Sequence, residues 1–126
     1  MTPIPDARPD APDAVLLHAV AAGDMAAFER LYDRHCRQVY GLAVRMAGRT
    51  GHAEDIAQEA FLTLWRTAHR YRPERGSVTA WLLTITRNLA VDHIRRRAAE
   101  ERALAQAAGR ADRPDPDGVA DLALAR

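Results

Sequence analysis

Lysine is missing from this chain: all eighteen basic residues are arginine. Arginine suits bidentate phosphate and base contacts, but a genome rich in G and C produces the same bias, and we give that origin the larger share. Cysteine is nearly missing too. The single Cys36 excludes an intramolecular disulfide and fits a reducing compartment; on a helix between His35 and Arg37 it reads as a half-buried structural residue rather than a reactive thiol. Aromatics are scarce at 6%, and β-branched runs and alternating patterns do not occur, which favours a helical core over a sheet. No apolar run approaches a membrane span and no signal-peptide core is present, so the expected location is cytoplasmic, without membrane insertion. Catalytic constellations are absent as well. His18, His35, His52, His69 and His93 have no metal-ligand spacing, the Glu-x-x-His pattern of helical di-metal sites does not occur, and there is no phosphate-binding glycine loop. The expectation is no enzyme, no catalytic or metal residues, and no cofactor.

What is present is an alanine-rich apolar fraction of 48% in 126 residues, room for one closely packed helical domain. The net charge of +1 conceals a division. Residues 30–97 hold thirteen Arg against six Asp or Glu, whereas residues 1–29 and 98–126 are both net acidic. A basic middle suggests a polyanion partner.

The pattern predicts an all-α, compact bundle of about four helices over residues 13–108. A disordered, proline-rich tail (1–12) precedes it, and a linker (109–126) leads toward a second domain not contained in these residues. A short first helix runs from Asp13 to about Ala22 and stops at Gly23. Asp24 caps a second helix to about Ala47, with Phe28, Leu31, Tyr32, His35, Val39, Leu42, Ala43 and Met46 inward and Arg30, Arg34, Arg37, Arg45 and Arg49 outward. Gly48 to Gly51 closes it. The third helix, about His52 to His69, buries Ala53, Ile56, Ala57, Ala60, Phe61, Leu64 and Ala68. Its other face carries Asp55, Gln58, Glu59, Leu62 and Arg66. A basic loop with one aromatic follows, Tyr71-Arg72-Pro73-Glu74-Arg75-Gly76.

Ser77 then caps a fourth helix that continues toward Ala108 through Ala-Ala-Glu-Glu-Arg-Ala-Leu-Ala-Gln-Ala-Ala. Val78, Trp81, Leu82, Ile85 and Leu89 give it one buried face; Leu83, Ala90 and Ile94 give it a second. Between them lies a mostly polar stripe of Thr84, Asn88, Val91 and Arg95. Loop and stripe together offer a surface for an anion with flat groups to stack. Trp81 reads as core. Asp92 lies near the buried face, where a bridge to an arginine competes with an external contact, and Arg95 to Arg97 have the reading of a solvated helix end.

Three stretches in order carry a resemblance: Phe28-Glu29-Arg30-Leu31-Tyr32; Ala53-Glu54-Asp55-Ile56-Ala57-Gln58-Glu59-Ala60-Phe61-Leu62-Thr63-Leu64-Trp65; and Trp81 through Asp92 to Arg95-Arg96-Arg97. Over roughly residues 14–100 the chain resembles the first conserved domain, region 2, of extracytoplasmic-function sigma factors, small specificity subunits of bacterial RNA polymerase. The resemblance implies a domain that docks on the β′ clamp helices of core RNA polymerase and recognises and melts the promoter −10 element. Docking falls to Asp55, Gln58, Glu59, Leu62 and Arg66. The non-template strand falls to Tyr71, Arg72, Arg75, Ser77, Arg87, Asn88, Asp92, Arg95 and Arg96, with the loop after Tyr71 holding a flipped base. The family also implies an anti-sigma factor as partner, so a helical interaction module acting chiefly through such a regulator is the alternative. A helix-turn-helix repressor, which needs two short helices around a tight turn, fits the long helices poorly.

Overall fold

The computed structural model describes residues 8, 10–49 and 52–109. Four α-helices account for most of them: α1 (Asp13–Ala21), α2 (Met25–Ala47), α3 (His52–Thr67) and α4 (Val78–Ala108). No strand occurs among the described residues. The tail expected over residues 1–12 falls mostly outside them, as does the linker from residue 110 on; Ala11 lies within and is only 4% exposed, so the chain joins the core two residues before α1 begins.

The caps follow the sequence. The Asp24 carboxylate accepts from the Ala27 amide at 3.1 Å and the Ser77 hydroxyl from the Ala80 amide at 3.0 Å, each satisfying an amide the first turn leaves orphaned. Gly23 has φ +95°, which lets the chain turn from α1 directly into the Asp24 cap. α3 ends earlier than the periodicity suggests. Its apolar pattern runs on to Ala68, but the hydrogen bonding tightens to a 3-10 turn over Ala68–Arg70, while the Thr67 hydroxyl donates back to the Thr63 carbonyl at 2.6 Å.

α2, α3 and α4 each pack on the other two, and α1 lies mainly across α2. The main core gathers Leu16, Leu17, Leu31, Val39, Phe61, Leu64, Val78 and Leu82; full burial of one such side chain stabilises by about 1.5–3 kcal/mol. Phe28 of α2 meets Phe61 and Trp65 of α3 edge-on, at centroid distances of 6.3 and 5.4 Å. Where α2 ends and α3 begins the core narrows to Ile56 with Ala43, Ala53 and Ala90, three small side chains that allow the helices to approach closely. Asp13 at the start of α1 ties that helix to α2: one carboxylate oxygen accepts from Arg34 at 2.9 Å and the other lies 2.8 Å from the buried His35 ring.

Two expected orientations are corrected. Tyr32 is 44% exposed rather than inward, its ring resting against Phe61 at 4.7 Å. The deepest line of α4 is Val78, Leu82, Thr86 and Ala90, with Trp81, Ile85 and Leu89 half-buried beside it. Because α2 and α3 both cover α4, the buried centre falls between its two apolar strips. Thr86 can occupy that line because its hydroxyl donates to the Leu82 carbonyl at 2.9 Å, leaving no unsatisfied donor in the core.

Candidate nucleic-acid and partner interfaces

The basic loop is held in shape by its own residues. Tyr71 leaves the 3-10 turn in extended conformation, a second 3-10 turn covers Pro73–Arg75, and Gly76, at φ +132°, adopts a backbone that side-chain-bearing residues rarely take. The Tyr71 hydroxyl donates to the Gly76 carbonyl at 2.7 Å, closing the loop on itself. Its ring lies 5.6 Å from that of Trp81, inclined at 55°. Around this pair opens a cavity of about 200 Å³ lined by Tyr71, Arg72, Arg75, Ser77, Trp81 and Thr84 among others. Trp81 is therefore both core and wall: it packs against the buried cluster and shows its remaining surface to the cavity. Arg72 and Arg75 are exposed and form no ion pair among the described residues. Ser77 has one role already fixed, since its oxygen is the α4 cap.

Beyond the cavity, Thr84, Asn88 and Arg95 continue along the exposed side of α4, with Arg87 and Asp92 flanking them. From Thr84 to Arg95 this is a track of about 16 Å at the helical rise. Asn88 stands one turn past Thr84, outside the cavity lining. Asp92 is exposed and makes no ion pair among the described residues, so the internal bridge weighed for it does not form. The three terminal arginines also differ from one another. Arg97 donates to His52 Nε2 at 2.7 Å and lies 3.6 Å from Glu101, whereas Arg95 and Arg96 remain exposed without ion pairs among the described residues. Because a guanidinium can only donate, His52 Nε2 is the acceptor in this contact. The His93 ring lies 4.6 Å from that of His52, and its Nε2 is buried without a hydrogen-bond partner. Burial first, then the neighbouring His52, Arg96 and Arg97, hold the His93 pKa below its ordinary value, against a smaller upward pull from Asp55.

On α3, Asp55, Gln58, Glu59, Leu62 and Arg66 are all exposed along one stripe, Leu62 at 53%. Arg66 reaches back to the Thr63 hydroxyl at 3.5 Å. Alongside, a groove of about 570 Å³ runs between α2 and α3, lined by Tyr32, Cys36, Arg37, Tyr40, Glu54 and Gln58 among others. Tyr32 and Tyr40, exposed on its α2 side, were missed as surface residues. The signal was available: both project from the same helix eight residues apart, too polar at the ring tip to be wholly buried without a partner. Among the described residues there is no grouping of His, Cys, Asp and Glu able to hold a metal ion, and no helix long and apolar enough to cross a membrane.

Comparison with known proteins identifies the family. The family described as Sigma-70 region 2 matches residues 31–100. A protein of Mycobacterium tuberculosis named ECF RNA polymerase sigma factor SigK is 42% identical over 111 residues, covering 87% of this chain and 59% of its own length. The protein of the same name from Mycobacterium bovis gives the same figures, and that of Mycobacterium sp. strain KMS is 43% identical over 111 residues, with 57% of its length covered. The chain thus spans somewhat more than half the length of these relatives.

Proposed function

Because the chain belongs to the sigma-70 region 2 family, we propose that it acts as the polymerase-docking and promoter-melting domain of an extracytoplasmic-function sigma factor. Such a role is binding, not catalysis. The observation that carries the reading is the cavity where the basic loop meets α4: two aromatic rings and three arginines, Arg70, Arg72 and Arg75, without ion pairs among the described residues, around a space of about 200 Å³. A base drawn from the duplex costs a few kcal/mol to unstack. Contact with an aromatic face returns about 1–3 kcal/mol, and Arg72 and Arg75 add charge-assisted contacts to the flanking phosphates. A pocket of this kind therefore favours the opened non-template strand of the −10 element over the closed duplex. In this reading Asn88 contacts a base edge or the backbone farther along α4, with Arg87, Asp92, Arg95 and Arg96 along the strand's course.

The α3 stripe serves the second half of the role. Asp55 and Glu59 steer a basic partner helix, Gln58 hydrogen-bonds to it, and Leu62 supplies the apolar anchor, consistent with docking on the β′ clamp helices. The exposed rings of Tyr32 and Tyr40 beside this stripe also favour a second partner, an anti-sigma factor covering the same face.

The test is retention of the chain on purified bacterial core RNA polymerase, beside a variant carrying Asp55→Ala, Gln58→Ala and Glu59→Ala. All three residues are exposed, so the variant keeps its fold, checked by circular dichroism. The expected result is retention of the parent and loss of at least tenfold in affinity for the variant. Equal retention would remove the docking face, and no retention of either folded protein would overturn the polymerase reading.

A further inference from the structure

Thr84 stands between two cavities. One is the loop cavity already described. The other lies on the α2 side of the same residue, a cleft of about 270 Å³ between α2 and α4 lined by Gln38, Leu42, Arg45, Leu83, Thr84 and Arg87. Its composition is directed. Leu42 and Leu83 are half-buried and form an apolar floor; Gln38, Arg45 and Arg87 are exposed at its rim. Neither arginine has a carboxylate partner among the described residues, and no Asp or Glu lines the cleft. Two uncompensated guanidinium groups call for an anion. An aliphatic floor suits a flat ring or a sugar, and a carboxamide supplies the donor and acceptor pair that reads a base edge. A basic or neutral peptide would leave both arginines unanswered.

We propose that this α2–α4 cleft is a second nucleotide subsite, which receives the base and phosphate of the nucleotide adjacent to the one captured in the cavity beside Tyr71 and Trp81. The inference rests on the base-capture reading above and extends it from α4 to α2. Arg45 and Arg87 straddle the phosphate, Leu42 and Leu83 support the ring, and the Gln38 amide contacts its edge. Since Thr84 lines both cavities, a strand entering one passes directly over the wall of the other. The cleft thereby holds the strand open at two neighbouring positions.

The experiment uses a short fluorescein-labelled single strand, enriched on the chain from a random pool, with a single abasic site moved through it position by position. Binding is read by fluorescence anisotropy. For the parent, two neighbouring abasic positions should each weaken binding by about tenfold, the loss of one supported base. Changing Gln38→Ala with Arg45→Ala, both exposed, should abolish the penalty at one of them only; Tyr71→Ala should abolish it at the other. A single sensitive position, or a uniform loss of affinity in the cleft variant with both penalties intact, would overturn the subsite and leave base capture standing. Failure of any single strand to be enriched, or indifference to Tyr71→Ala, would overturn base capture and the subsite with it. Thermal unfolding of each variant separates these outcomes from loss of fold.

Discussion

Ser77 shows how a residue can be structural and functional at one atom. Its oxygen accepts the Ala80 amide and so starts α4, yet the same side chain lines the cavity between loop and helix. Removing the cap with Ser77→Ala should cost about 0.5–2 kcal/mol, a fall in Tm of several degrees for a domain of this size. Ser77→Asp separates the two roles. Aspartate caps as well as serine and suits the positive end of the helix dipole, so Tm should return to the parent value. The carboxylate would at the same time face any phosphate drawn in by Arg72 and Arg75, and binding of a single strand should weaken. If Ser77→Asp bound as tightly as the parent, the cavity would not be where the strand lies. Tyr71 admits a parallel separation, since its hydroxyl closes the loop and its ring meets Trp81. Tyr71→Phe should loosen the loop while keeping a stacking surface, whereas Tyr71→Ala loses both.

Between elements, the contact of α3 with α4 near the start of α3 carries a pH dependence. His93 faces His52 and Asp55 from α3 and has Arg96 and Arg97 beside it on α4; burial and the cationic neighbours hold its pKa below the ordinary 6.5. The unfolded chain therefore binds a proton at His93 more readily than the folded one. Stability from this residue is complete above about pH 6.5 and declines as pH falls toward the lower folded value. Comparing Tm at pH 7.5 and 5.5 should show a larger acid loss for the parent than for His93→Gln; parallel losses would mean the half-buried ring does not set the dependence. Neither His52 nor His93 was legible in this role, since a contact between residues forty-one positions apart leaves no local pattern. The helices themselves were legible because their signals are local: Asp24 and Ser77 as caps, Gly23 as a stop, and apolar residues at three-and-four spacing. Where two helices cover a third, periodicity loses its grip. Two apolar strips on α4 implied two buried faces, and the packing instead centred burial on Thr86, which neither strip contained. The loop cavity was half legible, its aromatic and arginines plain in order but the Tyr71–Gly76 tether and the Trp81 wall not. The α2–α4 cleft was hidden altogether, because its two halves lie some forty residues apart.

At the scale of the whole molecule, what matters is where positive charge is left unspent. A net charge of +1 predicts almost no salt dependence for polyanion binding, but the local arrangement predicts a marked one. Arg72 and Arg75 at the cavity, Arg45 and Arg87 at the cleft, and Arg95 and Arg96 along α4 are exposed without ion pairs among the described residues. If three of these neutralise phosphates, the logarithm of affinity for a single strand should fall with the logarithm of salt at a slope of about −2, since each contact to single-stranded nucleic acid contributes about −0.7. Arg95→Gln should reduce that slope by about 0.7 with little change in Tm. Arg97→Gln should do the reverse. Arg97 is tied to His52 and Glu101, so its loss removes a link between α3 and α4 and lowers Tm, while leaving the salt slope nearly as it was. Two arginines only two positions apart with opposite signatures would establish that the fold assigns one face of α4 to the strand and the next to the contact with α3. Equal reductions in slope from both would mean that the arginines act as a diffuse cloud, and that the tie to His52 has no bearing on which of them meets the phosphates.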